Sequence, residues 1–175
     1  MDLYNPNISP ATTDDIDKLV LLVNSAYRGE SSTKGWTTEA SLLDGIRTNS
    51  ASLQQQMNNP GAVILKYTGE GGNIIGCVYL EKKADKLYLG MLTVSPLLQA
   101  KGTGRQLLAA AELYGIQQGC KAVTMTVISV RHELIAWYER NGYHNTGETQ
   151  PFPTGPEFGI PKQELVFIVM EKTLR

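Results

Sequence analysis

Sulfur and imidazole are scarce in this chain: it has two cysteines, Cys77 and Cys120, and two histidines, His132 and His144, among 175 residues. The cysteines stand far apart, with no Cys-x-x-Cys pair and too few histidines beside them, which excludes a zinc site of the usual spacing. Two reduced, buried thiols are the reading that remains. Neither histidine has a spacing that sets up a triad with a serine or cysteine. An excess of one charge is also lacking, since 16 Lys and Arg face 17 Asp and Glu for a net charge of −1. Without a broad basic surface the chain does not read as a general nucleic-acid binder. No apolar stretch reaches the roughly 20 residues that cross a bilayer, and the opening MDLYNPNISP lacks the basic and apolar regions of a secretion signal. The expectation is a cytoplasmic protein that works without metal, membrane or nucleic acid, on small molecules or peptide ends.

What is present is enough length for one domain, residues 1–175, with a sizeable core. After an extended start near Asn7 to Ala11, TTDDIDKLVLLVNSAY reads as a helix. Thr12 or Thr13 caps it, Asp14, Asp15 and Asp17 complement its positive end, and Ile16, Leu19, Val20 and Val23 share one face. The loop GESSTKGW leads to TTEASLLDGIRT, read as a second helix capped by Thr37 or Thr38. SASLQQQMN adds a turn or two before Asn59-Pro60 stops it. Strand character then takes over: GAVILKYT, NIIGCVYLEKK and DKLYLGMLTV, separated by short turns, form an antiparallel meander. A helix from about Gly102 to Gln118 follows, with Gly104, Leu107, Leu108, Ala111 and Gly115 on one stripe. KAVTMTVIS is a strand, HELIAWYERN a short helix ended by Gly142, and GYHNTGE a strand. The Pro/Gly loop TQPFPTGPEFGIP precedes a last strand, ELVFIVMEK. This order describes an α/β chain built on one mixed sheet covered on both faces. The apolar LVFIVM, taken as an outer strand, suits a homodimer interface as well as a buried position.

The segment QAKGTGRQLL, after the strand, carries the chemistry. Glycines at 102 and 104 let a backbone come close to a ligand, and the first N–H groups of the following helix have no partner within it. With the helix dipole behind them, those amides suit a pyrophosphate, and Lys101 and Arg105 add positive charge. A dinucleotide fold would need a third glycine where Leu107 stands, and a P-loop would need Gly-Lys-Ser/Thr where Lys101 instead precedes the turn. The pattern present is Gln-x-x-Gly-x-Gly, Gln99, Gly102 and Gly104, behind MLTVSP. Together with LIAWYERNGY at Leu134 to Tyr143, it resembles the GNAT superfamily of N-acetyltransferases.

That resemblance implies a mostly antiparallel sheet of six to seven strands flanked by helices, with acetyl-CoA as co-substrate. It implies that Leu92, Thr93 and Val94 bind the pantetheine arm as a further strand would. Gln99 and the amides of Lys101, Gly102, Thr103, Gly104 and Arg105 would bind the pyrophosphate. Arg131 stands where many relatives have an asparagine on the arm, and it reads equally as a phosphate or acceptor contact and as a solvated helix end. The implied reaction is direct acetyl transfer to a primary amine of a small molecule or peptide, with the N–H of Leu92 polarising the thioester carbonyl. Tyr138 matches the family's general acid. The general base departs from the pattern, because LYLGMLTV and AVTMTVIS hold no acidic residue or histidine. Glu81 is the nearest carboxylate in sequence, and water relayed through Tyr27, Thr126 or a backbone carbonyl is the alternative. The two loops over the cleft offer Tyr27, Arg28, Trp36 and Phe152 as acceptor contacts, with Arg28 a partner for a carboxylate. A non-catalytic acyl-CoA binder on the same fold stays open beside the enzyme.

Overall fold

Consecutive burial along the central strand, Gly76 to Leu80, between segments of helical spacing, gives a sheet with two covered faces. A computed structural model describes residues 2–27, 38–99, 101–153 and 159–175. The helices are α1 (Ile16–Tyr27), α2 (Ser50–Asn58), α3 (Thr103–Gln117) and α4 (His132–Arg140). The strands are β1 (Ile8–Pro10), β2 (Leu43–Asp44), β3 (Ala62–Thr68), β4 (Ile74–Lys83), β5 (Lys86–Val94), β6 (Ala122–Ile128), β7 (His144–Pro151), β8 (Ile160–Pro161) and β9 (Val166–Thr173). Seven of them form one sheet in the order β1-β3-β4-β5-β6-β9-β7, and β2 pairs with β8 alone. Every neighbour pair in the large sheet is antiparallel except β5 with β6.

Alternation along each strand sorts the core into two layers. Ile64, Cys77, Tyr79 and Met91 pack with Leu19 and Val23 of α1 and Leu53 of α2. Leu65, Val78, Leu80, Leu87 and Leu89 pack on the other face with Leu107, Leu108 and Ala111 of α3 and Tyr138 of α4. Both cysteines are buried and free. Behind the end of β5 the fit is tight. A Cβ on Gly76 would lie 2.9 Å from both Leu107 Cδ1 and the Thr93 carbonyl oxygen. Gly76→Ala is therefore expected to cost about 1–3 kcal/mol in urea unfolding, as overpacking does; an unchanged midpoint would show that the layer yields freely.

Two expectations are corrected. TTEASLLDGIRT is not a helix over its described part, which follows an irregular course interrupted by the short β2. Asn24 holds it extended: its Oδ1 accepts from the N–H groups of Arg47 at 2.8 Å and Thr48 at 3.0 Å, and its Nδ2 donates to the Thr48 carbonyl. Gly45, at φ +88°, turns the chain out of helical geometry. The helix starts only at Ser50, where the Asn49 side chain accepts from Ser52 N–H at 2.8 Å. Nor is LVFIVM an outer strand. β9 lies between β6 and β7, with Ile168, Val169 and Met170 buried, while the polar β7 forms the sheet's edge. Its apolarity is spent inside the chain. Among the described residues no helix is long and apolar enough to cross a membrane, and no group of His, Cys, Asp and Glu is arranged to hold a metal.

Candidate active site

The site begins where β5 loses its neighbours. Its ladder to β6 covers only Lys86 to Tyr88 against Ala122 to Thr124. On the other side Tyr79 stands opposite Gly90 but Cys77 opposite Thr93, so β5 carries one extra residue, with Met91 at φ +54°. This is a β-bulge, and it reverses which way the side chains point. Leu87 and Leu89 enter the α3 layer, Met91 the α1 layer, and Leu92 and Val94 lie against the α3 layer again. Met91 and Leu92 fall outside the β4 register, and beyond Tyr88 the strand has no partner on the β6 side. An unpaired strand edge thus opens inside the sheet.

A cleft of about 380 Å³ fills the gap, with Leu92, Thr93 and Val94 along it, Gly102, Gly104 and Arg105 at the start of α3, Arg131 at the head of α4 and Tyr138 within it. Gly102 has φ +86°, a conformation a side chain would strain, and Gln106 N–H donates to its carbonyl at 3.0 Å to start the helix. The amides of the first turn are left without helical partners. Gly104 is helical, and a Cβ there would sit 3.6 Å from Trp137 and Val94 side-chain atoms, at the cleft wall. Gln99 ties the connection down by donating from Nε2 to the Val94 carbonyl at 3.1 Å.

A second cavity of about 290 Å³ adjoins the first and shares Tyr27, Leu92, Arg131, Leu134 and Tyr138 with it. At this junction the Tyr27 hydroxyl donates to the Leu92 carbonyl at 2.7 Å. Burial pushes the Tyr27 phenol up to about 12, so it keeps its proton at neutral pH. Burial also raises Tyr138 well above the ordinary tyrosine range, chiefly by desolvation, with the charge of a Tyr27 phenolate a smaller cause in the same direction. Among the described residues the Tyr138 hydroxyl has no hydrogen-bond partner. Arg131, 5% exposed, binds Glu39, 6% exposed, through Nη1 to Oε2 at 3.0 Å.

Of the residues singled out in the sequence, Tyr27, Leu92, Thr93, Val94, Gln99, Gly102, Gly104, Arg105, Arg131 and Tyr138 line the first cavity, and Phe152 the second. Lys101 is exposed and lines neither cavity. Thr103 is buried, its methyl turned toward Gly76. Glu81 is not brought to the site: register sets it opposite Tyr88, its carboxylate pairs with Lys83 at 3.4 Å, and it lines neither cavity. Arg28 and Trp36 lie outside the described residues. Arg131 is buried rather than a solvated helix end. Glu39 and Arg47 were missed, because a helical reading of TTEASLLDGIRT gives no reason to turn either inward.

With this geometry in view, the sequence profile of the acetyltransferase (GNAT) family matches residues 21–143. The uncharacterized N-acetyltransferase YhfO of Bacillus subtilis is 32% identical over 143 residues, 78% of this chain and 89% of that protein. Among solved structures, the ribosomal-protein-S18-alanine N-acetyltransferase of Escherichia coli superposes with a TM-score of 0.70 at 16% identity, over 95% of this chain and 92% of that one. The smu.2055 protein of Streptococcus mutans UA159 gives a TM-score of 0.71 at 17% identity, over 96% and 99%.

Proposed function

The chain belongs to the GNAT acetyltransferase family, and from that premise we propose that it acts as one domain to transfer the acetyl group of acetyl-CoA to a primary amine of a small molecule or peptide. The observation that carries this reading is the junction at Leu92. There a strand edge without a partner, a helix N-terminus and a buried phenol meet between two adjoining cavities. The residues present fit the co-substrate. Carbonyl and amide groups of Leu92 to Val94 suit the amide-bearing pantetheine arm, as a further strand would. The first amides of α3, its dipole and Arg105 suit the pyrophosphate, and Gly104 leaves room for it.

When bound, acetyl-CoA supplies the acyl group as a thioester. The Leu92 N–H, outside the β4 register, polarises the acyl carbonyl in this reading. The Tyr138 hydroxyl keeps its proton at neutral pH and gives it to the departing sulfur. Among the described residues no histidine lines either cavity, and Glu39 is engaged by Arg131. Water held by Thr126 and backbone carbonyls of the second cavity takes the amine's proton.

Calorimetric titration with acetyl-CoA, with ADP and pantetheine as controls, tests the first half. A Kd on the order of micromolar, weakened when either the arm or the pyrophosphate is missing, is expected; ADP binding as tightly as acetyl-CoA would refute it. Amine-dependent release of coenzyme A tests the second half. Tight binding with no amine dependence would leave a non-catalytic acyl-CoA binder.

A further inference from the structure

The described residues that line the second cavity carry an imbalance of charge that the proposed chemistry does not use. Three charged side chains line it among the described residues: Glu39, Arg131 and Arg47. Glu39 and Arg131 neutralise each other at 3.0 Å. Arg47 is left over. Its guanidinium lies over the Tyr27 ring, 5.3 Å from the centroid, and has no carboxylate or hydrogen-bond partner among the described residues. Asn24 holds its backbone through the N–H at 2.8 Å, so the half-buried side chain springs from a fixed point. A guanidinium held over an aromatic ring, with no N–H···O bond to a described residue, has donors to offer, and its planar fork matches a carboxylate in two parallel hydrogen bonds.

Position decides what the charge is for. Arg47 lines the second cavity and not the first, so it does not face the pyrophosphate groups at α3. The ring it covers belongs to Tyr27, whose hydroxyl sits at the junction where the two cavities meet. The same cavity is lined elsewhere by Met125, Ile128, Phe152 and Phe167, with the two phenylalanine rings 5.2 Å apart. Among the described residues, a guest with its amine at the junction thus meets the Arg47 cation close by and an apolar wall beyond.

We propose that the acceptor is an amine carrying a carboxylate within a few bonds of the nitrogen and an apolar remainder, an α-amino acid or close analogue, and that Arg47 binds the carboxylate. This rests on the proposed acetyl transfer, since that reaction places the amine at the junction. Arg47 replaces Arg28, which lies outside the described residues, as the carboxylate partner. The apolar wall lets the acceptor's remainder leave water, and Arg47 sets which amines are accepted.

The test uses product-like probes, so that it does not depend on turnover. With coenzyme A present, N-acetyl-L-phenylalanine and N-acetylphenethylamine, which differ only in the carboxylate, are titrated into the full chain. The carboxylate form is expected to bind at least about 10-fold more tightly, and Arg47→Gln to reduce that ratio to about 1, because a charge-assisted bidentate pair is lost. Arg47→Lys, which keeps the charge without the fork, is expected to retain part of it. Equal binding of the two probes to the parent protein, binding of neither, or a ratio unchanged in Arg47→Gln would each overturn the inference. Amine-dependent release of coenzyme A is measured separately. Its absence, with the probe ratio intact, would sink the transferase reading and leave the carboxylate site standing.

Discussion

Tyr138→Phe is expected to lower kcat about 100-fold, within the range that general-acid catalysis contributes, while the affinity for acetyl-CoA stays nearly unchanged. The substitution removes one hydroxyl and little else. Tyr138 is 5% exposed and packs by its ring against Trp137, at 5.1 Å, and Tyr143, at 5.8 Å, contacts that phenylalanine keeps. Its hydroxyl makes no hydrogen bond within the described protein, so no buried partner is orphaned and stability is expected to move by less than about 1 kcal/mol. An interaction used only in the transition state lowers kcat and kcat/KM together, whereas a lost packing contact would show first in the urea midpoint. Steady-state kinetics beside an unfolding curve separate the two. Turnover equal to that of the parent would remove Tyr138 from the chemistry and return it to the core.

Glu39→Leu is expected to destabilise the fold by about 3–5 kcal/mol, the cost of leaving a buried charge without its counter-ion. Arg131 stays behind at 5% exposure, and Glu133, a second carboxylate near it among the described residues, is 3.8 Å from Nε and 46% exposed. An exposed carboxylate at that distance offsets little, because solvent-screened pairs are worth about 0–1 kcal/mol. The position of Glu39 explains why the pair forms. Its N–H donates to the Tyr27 carbonyl at 3.0 Å, and its own carbonyl accepts from Leu42 and Leu43, which turns the side chain inward at the end of α1. Because Arg131 immediately precedes α4 and lines both cavities, the pair joins the acceptor side of the site to the helix carrying Tyr138. The double substitution Glu39→Leu with Arg131→Met is expected to recover most of the loss, since apolar pairs often replace buried ion pairs without penalty. Urea unfolding of the single and double variants is the measurement. A single variant within about 0.5 kcal/mol of the parent would mean that the pair carries no structural weight.

Local chemistry made most of the fold legible. β3, β4 and β5 follow from β-favouring segments between turn residues, and the turn Thr13–Asp15 that leads into α1 is capped where Thr12 N–H meets the Asp15 carboxylate at 2.8 Å, as an acidic start to an apolar helix suggests. The Gly102 and Gly104 signature was readable because positive φ and a missing Cβ are properties of single residues. TTEASLLDGIRT was misread because its propensity is weak and Asn24, far off in sequence, outbids it with three hydrogen bonds. LVFIVM was misplaced because an apolar run has the same composition at an edge as between two neighbours.

Most helices and strands, their apolar faces and the glycine turn at the head of α3 were legible in the chain, since each depends on neighbours within a few positions. The rest required the folded arrangement. The extra residue at Met91 shows only against the register of β4, and the parting of β5 from β6 needs both strands in place. Glu39 meets Arg131 across 92 positions of chain, and among the described residues Arg47 has no counter-charge. Charge pairing and strand pairing act through space, and no spacing along the chain encodes which residues will meet.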